Sequence, residues 1–83
     1  MTYFVYILHS PNYDKYYIGQ TNNLEDRLKR HNEGYENYTK AYLPWELVCC
    51  IQKKSRSEAV VLEKKLKNLN KARLQEHIQK YGI

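Results

Sequence analysis

Arg27 and His31 stand four residues apart, a spacing that puts both side chains on one face of a helix. A guanidinium holds phosphate oxygens through paired N–H donors. An imidazole can relay a proton or bond a phosphate. Just upstream runs Tyr16-Tyr17-Ile18-Gly19-Gln20, in which Gly19 interrupts a strand-like run. A glycine there marks a bulge, or a close approach by another backbone or a ligand. Tyr6 and Tyr17 supply phenols, and near a metal or another cation a phenol loses its proton more easily and can act as a base. Glu63 is the carboxylate most out of place. At about 100° per residue it lies roughly 70° from the centre of the stripe of Ala59, Leu62 and Leu66, among Lys64, Lys65 and Lys67. A carboxylate at the edge of a buried face needs a partner. That partner can be Arg27, a lysine, or a divalent metal such as Mg²⁺, which often takes one or two protein carboxylates and fills its other positions with water and phosphate. Taken singly, each residue also has an ordinary explanation: an ion pair for Arg27, a helix surface for His31, a bulge for Gly19, a core for the tyrosines.

The elements that must position these residues follow from periodicity and turn chemistry. Residues 3–9, YFVYILH, are β-branched and aromatic, and read as a strand covered on both faces or nearly so. SPNYDK, residues 10–15, is a turn, and YYIGQ, residues 16–20, is the returning strand of an antiparallel hairpin. A helix follows, with Asn22 as its cap, Glu25 in capping-box position, Leu24 and Leu28 on its buried side, and Gly34 as its stop. YENYTKAYLPW is irregular, and residues 45–52, WELVCCIQ, form a third strand. A second helix begins near Ser55, with Glu58 at capping-box spacing and a stripe of Ala59, Leu62, Leu66 and Leu69. After a break at residues 68–70 a last helix spans residues 71–81. The order is β-β-α-β-α-α, an α+β arrangement of a three-stranded sheet with helices against it.

Composition bounds the rest. Eighty-three residues make one domain, 1–83, with a modest core. Nine of the eleven aromatics are Tyr, a residue that suits a half-wet surface as well as a thin core. Residues 1–52 hold five Lys/Arg and six Asp/Glu, whereas residues 53–83 hold nine and three, which is −1 against +6. A basic half can track a polyanion, usually nucleic acid; it can equally be a solvated lysine-rich face. Cys49 and Cys50 are adjacent, so they point to opposite faces of a strand and form neither a disulfide framework nor a zinc site. The sequence has no leader pattern and no long apolar run, which places the protein in the cytoplasm with no membrane partner.

Taken together, VYIL, then YYIG about ten residues on, then an arginine and a histidine on the next helix, then LEKKLK, resemble the GIY-YIG nuclease superfamily. The resemblance runs from Tyr3 to about Lys71 and is strongest to the small stand-alone bacterial members, related to the nuclease domain of the bacterial excision-repair excinuclease. It implies a three-stranded antiparallel sheet flanked by helices. It also implies a metal-dependent DNA endonuclease that hydrolyses phosphodiester bonds in DNA repair or recombination, using one Mg²⁺ or Mn²⁺. The first motif's tyrosine falls on Tyr6, the second motif on Tyr17, Ile18 and Gly19, the helix arginine on Arg27, the position four later on His31, and the metal-binding glutamate on Glu63. Phe4 replaces the first motif's glycine, Gln20 stands where repair nucleases often carry lysine, and the chain ends KYGI where many relatives carry a late Asn-Pro or Trp. Lys40, Lys64, Lys67 and Lys71 would hold the rest of the DNA strand through sequence-independent contacts. Relatives that cut at defined sites usually have a separate targeting domain, so a targeting protein partner is expected. The alternatives are a nucleic-acid-binding module with weak or no nuclease activity and a protein-interaction domain.

Overall fold

The computed structural model of the chain describes residues 2–83. Strands β1 (Tyr3–Ser10) and β2 (Lys15–Thr21) form the hairpin, helix α1 (Leu24–Asn32) follows, and a single 3-10 turn spans Thr39–Tyr42. Strand β3 (Glu46–Lys53), helix α2 (Arg56–Lys67) and helix α3 (Lys71–Tyr81) complete the order. The sheet order is β2-β1-β3 with both pairings antiparallel. The central strand is therefore β1, and the two edges are β2 and β3. Among the described residues no helix is long and apolar enough to cross a membrane.

Alternation along β1 sends its side chains into two cores. Val5 and Ile7 join Ile18, Cys49, Ala59, Leu66 and Leu74 beneath α2 and α3. Tyr6 and Leu8 join Trp45, with Leu24 and Leu28 of α1 and the 42–47 segment packed around them. Residues 5–8 are thus buried without a break, as a strand covered on both faces requires. Cys49 and Cys50 are free thiols.

Several ends differ from the sequence reading in ways the hydrogen bonds explain. The cap of α1 is Asn23 rather than Asn22: its side chain accepts from the Asp26 N–H at 3.1 Å, and its own N–H donates to Thr21 Oγ1 at 3.0 Å. This moves Glu25 out of the capping-box position. At the other end Gly34 has φ +82°. Its N–H donates to the His31 carbonyl at 3.2 Å, and that of Tyr35 to the Arg30 carbonyl at 3.0 Å, a Schellman stop. Ser55 caps α2 by accepting from the Glu58 N–H, while Glu58 reaches back to the N–H of Lys54 rather than of Ser55. Asn70 caps α3 by accepting from the Arg73 N–H at 2.9 Å. The bulge expected at Gly19 is not there, since Tyr6 faces Gly19 in unbroken register. The irregularity lies on the other side of β1, where Ile7 pairs with Cys49 but Leu8 with Leu47. The segment read as irregular carries the 3-10 turn.

Candidate functional site

The site forms where β1, β2 and the end of α1 meet. Tyr6 points from the central strand across Gly19 of β2. A Cβ at Gly19 would stand 2.6 Å from Tyr6 Cζ and collide with its hydroxyl. The glycine therefore makes room for the Tyr6 phenol, and the unbroken register there shows that it marks no bulge. Past Gly19 the Tyr6 hydroxyl is hydrogen-bonded to His31 Nε2 at 3.0 Å. His31 Nδ1 is hydrogen-bonded to Thr39 Oγ1 at 2.9 Å. The Thr39 carbonyl accepts from the indole N–H of Trp45 at 2.8 Å. Tyr6, His31 and Thr39 are each 0 % exposed.

Local chemistry holds this chain together. The Schellman stop after His31 turns the backbone so that residues 35–42 fold back over α1. Asn32 then clamps the incoming strand: its Oδ1 accepts from the Trp45 N–H at 2.8 Å and its Nδ2 donates to the Trp45 carbonyl at 3.2 Å. Ser10 Oγ donates to the Tyr42 carbonyl at 2.7 Å. With these four tethers Thr39 has a fixed place under the imidazole.

Burial sets the protonation of the chain. It pushes the Tyr6 phenol well above its ordinary value, with the neighbouring Tyr17 adding to the effect and the Arg27 guanidinium opposing it. Burial holds the His31 imidazole below its usual value; Glu36 works against this, while Arg27 and Arg30 add to it. Both groups are neutral at neutral pH. Each imidazole nitrogen has one partner, so one donates and the other accepts. A buried, neutral phenol–imidazole–hydroxyl chain fixes geometry and can pass a proton along its length, but Tyr6 itself does not meet solvent.

Tyr17 does. Its ring centroid lies 4.8 Å from that of His31 and 6.1 Å from that of Tyr38, tilted against both. It lines a cleft at the β2 edge with Tyr38, Ile18, Leu66, Leu69 and Lys67. The structure thus brings Tyr6, Tyr17, Gly19 and His31 into direct contact, with Arg27 near enough to act on both Tyr6 and His31.

Glu63 arrives from α2, on the other face of the sheet. Its partner is Lys67, one turn on, with Nζ 3.3 Å from Oε2, and its side chain is 19 % exposed. Lys67 itself is part of the cleft wall. Among the described residues no group of three or more His, Cys, Asp or Glu is gathered to hold a metal. A lone carboxylate fits a hard, largely hydrated cation such as Mg²⁺ or Mn²⁺, whose other ligands are water and phosphate oxygens; it does not fit a nitrogen- or sulfur-ligated ion. Of the lysines, Lys40 and Lys64 are exposed. Lys71 is taken up by Asp14, 2.6 Å from its Oδ2 and 3.1 Å from its carbonyl. Sequence reasoning missed Thr39 and Trp45, because they lie in a segment without periodicity.

The family model of the GIY-YIG catalytic domain matches residues 2–81. A UPF0213 protein of Bacillus licheniformis is 41% identical over 71 residues, covering 81% of this chain and 73% of the relative. One from Bacillus velezensis is 34% identical over 79 residues, covering 94% and 79%. The solution NMR structure of a UPF0213 protein from Bacillus halodurans superposes with TM-score 0.65 at 29% identity, over 99% of this chain and 87% of that one.

Proposed function

The chain belongs to the GIY-YIG catalytic domain family, and from that premise we propose that residues 1–83 act as one domain, a metal-dependent endonuclease that hydrolyses phosphodiester bonds in DNA. The observation that carries the reading is the sealed chain Tyr6–His31–Thr39 beneath Tyr17. Burying three polar groups in so small a core is costly unless each is satisfied, and here the satisfied chain fixes a phenol-lined cleft at the sheet edge.

The parts divide as follows. Tyr17, the tyrosine that lines the cleft, takes the proton from the attacking water as the general base. As the water oxygen bonds to phosphorus, the bond to the leaving oxygen breaks, and that oxygen leaves with the bonding pair and takes a proton from solvent. Arg27 bears on the phosphoryl oxygens as charge gathers there. Tyr6 and His31 hold Tyr17 in place from behind. Glu63 would hold one Mg²⁺ or Mn²⁺, and the bound ion would supply Lewis-acid polarisation of the phosphate. Lys40, Lys64 and Lys67 hold the strand by charge, with Lys71 a weaker contributor because Asp14 occupies it. Action in the cytoplasm, in repair or recombination and with a targeting partner, belongs to the same proposal.

The test is nicking of supercoiled plasmid and of branched DNA with Mg²⁺ or Mn²⁺. Wild type should cut, and Glu63→Ala and Arg27→Ala should not. If wild type binds DNA yet never cuts, or Glu63→Ala cuts as well, the catalytic reading fails. The alternative, a nucleic-acid-binding module with weak or no activity, then leads; the ion pair that Lys67 makes with Glu63 favours it.

A further inference from the structure

At the opposite edge of the sheet from the cleft, β3, α2 and α3 enclose a second pocket. Its walls are Ile51, Leu62, Leu66, Leu69 and Tyr81. His77 also lines it, with its ring 4.8 Å from that of Tyr81. Among the described residues, His77 Nδ1 is the one buried side-chain nitrogen or oxygen with no hydrogen-bond partner. Burial and the charge of Lys65 hold this imidazole below its usual pKa, so it is neutral at neutral pH. Nδ1 then accepts from an N–H or, in the other tautomer, donates to an oxygen.

The pocket does not end there. Lys53, Leu62 and Lys65 also line an adjoining hollow with Ser57 and Val61, so the two form one groove along α2. Its apolar rim is open: Val61 is 68% exposed and Tyr81 53%. Its charged groups are mainly cationic. The one carboxylate on it, Glu58, is engaged by the Lys54 N–H. The basic half of the chain, +6 over residues 53–83, carries the groove.

We propose that this groove docks an acidic, amphipathic peptide segment of a protein partner. An aliphatic side chain would enter between Ile51, Leu62 and Leu69 beside the His77 ring, and carboxylates would meet Lys53 and Lys65. Four aliphatic side chains, Ile51, Leu62, Leu66 and Leu69, outnumber the one aromatic pair, His77 and Tyr81, which favours an aliphatic peptide side chain over the stacked bases of a single strand; the larger tyrosine cluster lies at the other edge. The inference goes beyond the nuclease reading and holds whether or not the chain cuts DNA.

The test is a titration of the full-length ¹⁵N-labelled protein with an acetylated ten-residue peptide alternating Glu or Asp with Leu. Saturable shifts confined to Ile51, Lys53, Leu62, Lys65, His77 and Tyr81 are expected. The His77 ring nitrogen resonances should change as well. Charge reversal at Lys53→Glu with Lys65→Glu should weaken binding at least tenfold, and exposed Val61→Glu should weaken it without unfolding the chain, checked by circular dichroism. Four outcomes overturn the proposal. The peptide gives no saturable shift at millimolar concentration. An Ala-for-Leu peptide binds equally well, which would mean charge alone. A single-stranded oligonucleotide moves the same residues and displaces the peptide, which would make the groove a nucleic-acid surface. The groove residues shift on raising protein concentration alone, which would make it a contact between copies.

Discussion

Replacing Gly19 by alanine separates two accounts of the glycine. The added methyl would sit 2.6 Å from Tyr6 Cζ and closer still to the hydroxyl. Tyr6 is 0 % exposed, so its ring has no empty space to enter. Overpacking of this kind costs about 1–3 kcal/mol. If the ring swings aside, the bond to His31 Nε2 is lost as well, leaving a buried polar atom unpaired at about 1–3 kcal/mol. The expected loss is then roughly 2–6 kcal/mol, a large part of the roughly 4–12 kcal/mol that a chain of this length commands. Urea unfolding followed by Trp45 fluorescence reads it directly, and the melting temperature should fall by at least about 8 °C. A variant as stable as wild type to within about 0.5 kcal/mol would refute the packing argument. Should that stable variant also lose DNA cutting, the account of Gly19 as clearance for a phosphate would stand in its place.

Three further expectations follow from the same geometry. Tyr6→Phe strips His31 Nε2 of its partner and should cost about 1–3 kcal/mol in urea; if Tyr17 is the base, this variant keeps part of the cutting that Tyr17→Phe abolishes, and the reverse ranking would move the base to Tyr6. Burial lowers the folded-state pKa of His31 below the usual 6.5, so the unfolded chain takes the proton more readily. Stability should be full above about pH 6.5 and decline as pH falls toward the folded-state value. His77 adds a change of the same sign, so the urea midpoint of His31→Gln/His77→Gln should vary less between pH 7.5 and 5.5, and an unchanged slope would show that neither is held neutral. Removing the ion pair in Lys67→Met should tighten Mn²⁺ binding by up to about fivefold, the ceiling for an exposed pair, measured by paramagnetic broadening of α2 resonances; unaltered affinity would detach Glu63 from the metal.

The sequence made the element order legible because each element has a local cause. Alternation and β-branching mark β1, Gly34 stops α1, and Asn70 separates α2 from α3. The one-residue error at the α1 cap arose because Asn22 and Asn23 are both competent caps; the Thr21 hydroxyl bonded to the Asn23 N–H makes the choice. In the site, Tyr6, Gly19 and His31 were individually visible, but their joint purpose was not. Local patterns cannot show that a phenol on β1 fills the space left by a glycine on β2, or that Thr39 lies beneath an imidazole eight residues back. Glu63 was legible as a carboxylate needing a partner, yet its partner depended on which lysine lay one turn away on the same helix.

The central position of β1 bears on how the chain is made. Residues 3–10 leave the ribosome well before residues 46–53, the strand that closes their second edge. The hairpin with β2 can form early, but until β3 emerges the run Val5 to Leu8 offers an unpaired edge whose side chains belong to both cores. Such an edge templates pairing with other chains, and intermediates that display one are prone to aggregate. The same strand that ties the tyrosine site to the rest of the molecule is thus its most vulnerable segment during synthesis, and its edge is protected only when β3 has paired with it.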